Sequence, residues 1–184
     1  MKPVTREEIL DLTAYEKARP GIQADVLAVK APRRVHLGDA ITFLFENRDT
    51  VRYQIQEMVR AERMVKETAI KHELDTYNEL LGKKGELGAV LLIEIDDPDK
   101  RTVKLREWMG LPGNLYVKTA SGRKVMATFD ARQVGEDRLS SVQYLKFDTG
   151  GESPVSVGSD HPMLRIEAAL TPEQRQALEA DLAG

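Results

Sequence analysis

The chain shifts between a helical and an extended hydrophobic period several times, and the shifts mark out its elements. Thr5, followed three residues later by Glu8, is a capping-box pattern and predicts a first helix with Ile9, Leu10 and Leu12 on its apolar face. Pro20-Gly21 is expected to interrupt it, so that Ile22 to Lys30 reads as another short helix. Arg33 to Leu37 and Ala40 to Glu46 read as strands joined across Gly38-Asp39. In the second, Ile41, Phe43 and Phe45 share one face and Leu44 occupies the other, so cover is expected on both sides. Asp49 or Thr50 is expected to cap a helix running to about Arg63, with Val51, Ile55, Met58 and Val59 as its core stripe. A partner helix is predicted from about Lys66 to Leu81, with Ile70, Leu74, Tyr77 and Leu81 on one face and Gly82 as terminator.

Leu87 to Ile95 has apolar residues on both faces, the pattern of a central strand. Asp97-Pro98 opens a helix that should end at Trp108 and Met109 before Gly110. Leu115 to Thr119 and Arg123 to Phe129 predict a hairpin about Ser121-Gly122, and Val142 to Phe147 a further strand. A short extended piece at Val155 to Val157 follows, with His161 expected in a turn beyond it. Leu164, Ile166, Ala168 and Leu170 alternate as on an edge strand, and Thr171-Pro172-Glu173-Gln174 is a second capping box. These elements predict one α+β domain over 1–184: a mixed, mainly antiparallel sheet with a helical hairpin and further short helices packed against it. Within it, 1–32 forms an N-terminal helical segment, 33–170 the core of sheet and helical hairpin, and 171–184 a C-terminal helix.

Composition narrows the function classes. With 41% hydrophobic and 31% charged residues the 184-residue chain is ordinary for a folded domain. Its 27 basic and 30 acidic residues leave a net charge of -3, which makes nucleic acid a poor partner. The absence of cysteine removes disulfides, thiol catalysis and cysteine-ligated zinc or iron–sulfur centres. The longest apolar run, Ala89 to Ile93, is far short of the ~20 residues that span a bilayer, so no membrane role is expected. The charged N-terminal stretch lacks the apolar core of a signal peptide, and the cytoplasm is the expected compartment.

Phosphate-binding, dinucleotide-binding and nucleophile-elbow motifs are absent. Ser121-Gly122-Arg123-Lys124 matches Ser-x-x-Lys by letters, but it lies on a hairpin turn rather than at a helix start. Ser159, Asp160 and His161 are consecutive, and adjacent side chains do not converge as a triad. The residue three before each histidine is Ala69, Arg33 or Gly158, so the Glu-x-x-His pattern of ferritin-like di-iron sites does not occur.

Longer stretches carry more. Arg34-Val35-His36-Leu37-Gly38-Asp39, Glu46-Asn47-Arg48-Asp49-Thr50, Gln54-Ile55-Gln56-Glu57-Met58 and Arg60-Ala61-Glu62-Arg63 resemble the bacterial family known as domain of unknown function 3501. Glu73 to Leu80, Val142-Gln143-Tyr144-Leu145 and Asp160-His161-Pro162 continue the likeness over nearly the whole chain. The resemblance implies no particular activity. It implies a neighbourhood, since members are often encoded beside a rubrerythrin and a heterodisulfide-reductase-like iron–sulfur protein.

The densest polar chemistry lies between Glu46 and Glu79. At ~100° per residue Glu62 falls about 20° from Val51, within the apolar stripe, and a carboxylate so aimed needs a partner or a raised pKa. Glu46, Asn47, Arg48, Glu57, Arg60 and Glu62 are therefore the candidate polar site, weighed against a frayed helix end or an ion pair without chemistry. His72, Glu79, His36 and His161 are weak metal candidates, each more simply a surface or corner residue. No cofactor is predicted, and a metal ion is the one left open.

Two function classes follow. The first is an accessory or interaction protein of a bacterial redox system, docking its partner through the hairpin's polar faces around Arg48, Glu57, Arg60, His72 and Glu79. The alternative is an enzyme or small-ligand or metal-binding domain, with Glu62 or Glu57 as acid/base and Arg60 as anion clamp in a pocket beside Glu46.

Overall fold

Six consecutive buried residues, Ile41 to Glu46, run through the middle of the molecule as strand β2, Ile41–Glu46. A computed structural model describes residues 1–131 and 134–184. β2 pairs antiparallel with β1, Arg34–Leu37, across the expected Gly38 turn, and with β3, Glu86–Ile93. β3 in turn pairs with β6, Val142–Asp148, giving a sheet of order β1-β2-β3-β6. The remaining strands, β4 (Leu115–Thr119), β5 (Lys124–Met126), β7 (Pro154–His161) and β8 (Leu164–Ala169), form a second sheet of order β5-β4-β7-β8. The α+β class is as expected, but its strands divide between two sheets, and every pairing within them is antiparallel.

The sheets face each other across one core. Phe43, Phe45 and Phe147 pack with ring centroids 6.1–6.3 Å apart, and Leu115, Val117 and Val157 reach the same cluster from the second sheet. An isolated bridge between Thr128 and Lys146 ties the β5 edge to β6. Helix α4, Pro98–Glu107, follows the Asp97 cap and adds Leu105 to the core, with Trp108 just beyond it. Helix α5, Pro172–Ala183, opens on the predicted Thr171 cap and adds Leu178 and Leu182.

The outward face of the first sheet is apolar at Leu44 and partly so at Val90, and it is covered by helices. Helix α2, Arg48–Ala61, buries Val51, Ile55 and Val59, while α3, Glu67–Asn78, buries Ile70 and Leu74 against them. Gly88 makes the close approach possible. A Cβ there would sit 1.8 Å from the Leu80 carbonyl oxygen, so only glycine lets β3 pass under the turn that follows α3.

Several boundaries differ from the sequence expectation. Asn47, not Asp49 or Thr50, caps α2: its Oδ1 accepts the Thr50 N–H at 3.0 Å, and Thr50 Oγ1 accepts the Asn47 N–H at 2.9 Å. Pro20-Gly21 does not break the first helix; α1 runs unbroken over Leu12–Lys30. Proline removes one intrahelical bond, and packing of α1 along α2 outweighs that loss. The Thr5–Glu8 box closes, with Thr5 N–H donating to Glu8 Oε2 at 2.9 Å, but it opens a single 3-10 turn; Asp11 caps α1 itself. The extended piece near Val155 is an eight-residue strand, because β7 is paired on both sides.

Helix α5 is pinned by charge as well as by leucines. Both Asp181 carboxylate oxygens accept from the Arg33 guanidinium at 2.8 Å, and both side chains are buried. Removing one partner of such a pair leaves a desolvated charge and costs about 3–5 kcal/mol. Asp181→Ala is expected to lower the calorimetric Tm by roughly 6–20 °C, at about 2–4 °C per kcal/mol for a chain of this size. The double variant Arg33→Met/Asp181→Leu should recover most of the loss; a Tm unchanged in Asp181→Ala would show that the pair anchors nothing.

Candidate functional site

The residues between Glu46 and Glu62 do not share one site. Glu46, the last residue of β2, faces the helical layer and is buried, with the Thr50 hydroxyl donating to its carboxylate. Burial raises its pKa above the ordinary carboxylate value, against the Thr50 bond and the charges of Lys30 and Arg33. Asn47 donates to Asp181 at 3.4 Å and so joins the pinning pair of α5. Beside this network lies a depression of about 380 Å³ lined by Asn47, Arg48 and Asp181 together with Met1, Lys2 and Gly184. Neither Glu57, Arg60 nor Glu62 reaches it.

Arg48, Glu57 and Arg60 are engaged elsewhere, each by a residue N-terminal to β1. Arg48 pairs with Glu8. Glu57 accepts from Arg19 at 2.8 and 3.0 Å and from the Tyr15 hydroxyl at 2.5 Å. Arg19 and Tyr15 hold the Glu57 carboxyl below its usual pKa, and burial beside Glu57 pushes the Tyr15 phenol up. Arg60 pairs with Glu16 at 2.7 Å. The expected burial of Glu62 is overturned. Helix α2 ends at Ala61, so the angle extrapolated from Val51 no longer applies; Glu62 is the exposed C-cap.

The metal candidates stay apart. His72 is exposed on α3, and His36 is exposed on β1, where Nδ1 meets the Thr42 hydroxyl at 2.9 Å. That hydroxyl also donates to Glu94 at 2.5 Å, so the His36 contact belongs to a surface network. His161 is not in a turn: it ends β7, is buried, and its Nε2 lies 3.1 Å from the Met109 carbonyl. Among the described residues no three His, Cys, Asp or Glu side chains gather as a metal would need.

Glu79 leads to the feature that sequence reasoning missed. A groove of about 700 Å³ opens between α3 and β6, walled by Met58, Tyr77, Leu80, Phe129 and Tyr144 and rimmed by Glu73, Glu79 and Lys146. Phe129 keeps 36% and Tyr144 40% of its surface exposed, so two large rings remain open to water in one concavity. The Lys146 ammonium turns away, toward the Leu81 carbonyl at 3.4 Å and Glu86 at 3.6 Å. In sequence, Val142 to Phe147 reads only as a further strand; that α3 leaves Tyr144 open is a tertiary fact.

A family model described as protein of unknown function (DUF3501) matches residues 3–182. The chain belongs to this family. No curated protein matches it. A solved structure from Burkholderia pseudomallei, described as a novel protein of unknown function, is 31% identical. The match covers 98% of this chain and all of the other, with a TM-score of 0.90, so the two-sheet fold is common to both.

Glu46 gives this site a pH signature. A carboxyl whose folded pKa lies above its unfolded value stabilises the fold fully below the unfolded pKa, and that contribution is lost as pH rises through the folded one. Glu46→Gln keeps an acceptor for Thr50 and never ionises. Chemical denaturation should find it more stable than wild type at pH 8, with the difference vanishing toward pH 4; an equal difference at both values would contradict the assignment.

Proposed function

We propose that the protein is a non-catalytic accessory protein of a bacterial redox system, which docks a partner through the groove between α3 and β6. One observation carries the reading: Glu57 and Arg60 are engaged within the chain and Glu62 stands in solvent, whereas the aromatic groove is open. Arg48, Glu57 and Arg60 face α1 and the N-terminal turn, so the hairpin's expected docking face is covered by the protein itself. Of the expected docking residues, His72 and Glu79 remain exposed, and Glu79 lies on the groove rim. Concave surfaces that join exposed aromatic rings to a charged rim are the usual anatomy of a protein-binding patch.

The redox setting rests on the family's expected neighbourhood with a rubrerythrin and a heterodisulfide-reductase-like iron–sulfur protein. A chain with no cysteine would serve such a system by binding rather than by carrying thiols or a cysteine-ligated cluster. The enzyme alternative loses geometric support, since Glu62 is in solvent and Arg60 clamps Glu16.

Affinity purification from the native host tests the proposal. The wild-type chain should retain an iron-containing redox protein, and Phe129→Ala/Tyr144→Ala should lose it with an unchanged Tm. Retention of no redox partner, together with a defined turnover by the isolated protein, would end it.

A further inference from the structure

Resting on the docking reading, we propose that the groove takes a cationic amphipathic segment of its partner, an apolar anchor flanked by lysine or arginine. The groove is an apolar hollow with carboxylates on its rim. Met58, Tyr77, Leu80, Phe129 and Tyr144 offer the anchor site. Glu73 and Glu79 stand on its α3 side, and among the described residues neither has an ion-pair partner. Glu79 is the C-cap of α3, and no basic residue occupies that helix's last turn. The helix C-terminus already carries partial negative charge, so an uncompensated carboxylate there is unfavourable in the free protein and favours an incoming cation. Among the described residues, Lys146 is the cation on the rim, and it is held by Glu86 and does not offset them. A lysine or arginine passing over Tyr77 or Tyr144 would also gain from the ring face. Phosphate-rich partners are disfavoured by the same carboxylates.

The test uses two 14-residue peptides, acetylated and amidated, that repeat leucine at helical i, i+3 and i+4 spacing; one carries lysine elsewhere and the other glutamate. Amide chemical-shift mapping should place the lysine peptide on Thr76, Tyr77, Glu79, Phe129 and Tyr144, with no such response to the glutamate peptide. Titration calorimetry should find its affinity about fivefold to tenfold weaker in Glu73→Gln/Glu79→Gln, and weaker again in 0.5 M salt. Shifts confined to other acidic surfaces, or equal binding of both peptides, would overturn the proposal. If the lysine peptide does not bind while Phe129→Ala/Tyr144→Ala still loses its cellular partner, the cationic assignment fails and the docking reading stands. If that variant keeps its partner, both fail.

Discussion

Everything else in the fold follows from β2 and β3 carrying apolar residues on both faces. One face is satisfied by the second sheet, through Phe43, Phe45, Leu91 and their neighbours. The other needs a separate covering, and the chain supplies it with α2 and α3, whose Val51, Ile55, Val59, Ile70 and Leu74 gather over that side. Burial of this kind, at about 25 cal/mol per Å² of apolar surface, is the dominant favourable term. Gly88 sets how closely the layer can approach, because the Leu80 carbonyl lies where a side chain would begin.

The covering layer explains both what is engaged and what is left open. Helix α1 packs outside α2, and their facing charges pair: Arg19 with Glu57, Glu16 with Arg60. Such half-exposed pairs contribute little each, but they remove these groups from the list of free acids and bases. At the other side the layer stops at β3. Val90 is half-covered, while Tyr144, its register partner on β6, keeps 40% of its surface open. The groove is thus the uncovered margin of a sheet that is roofed over β2 and only partly over β3.

Much of the fold was legible in local patterns. The Gly38 hairpin, the central character of β3, the Asp97 cap and the Thr171 capping box all depend on neighbours within a few residues, and each stands where expected. Pro20 misled because a tertiary contact overrode a local cost, and Glu62 because helical angles have no meaning past the last turn. The division into two sheets could not be read from the strands, since alternation tells which faces are apolar and not what they meet. For the same reason the candidate site was legible only as a concentration of charge. That Asn47 turns to Asp181 and Glu46 to Thr50, while Glu57 turns to Arg19, is decided by packing.

The absence of cysteine allows one decisive measurement. A single cysteine placed at Thr76, on the groove rim, can carry a photo-crosslinker in the native host, with a second placed at Lys118 on the solvent side of the other sheet as control. Position 76 should give one discrete adduct, containing an iron-bearing redox protein and absent from position 118. The same adducts from both positions, or none from position 76, would contradict docking through the groove.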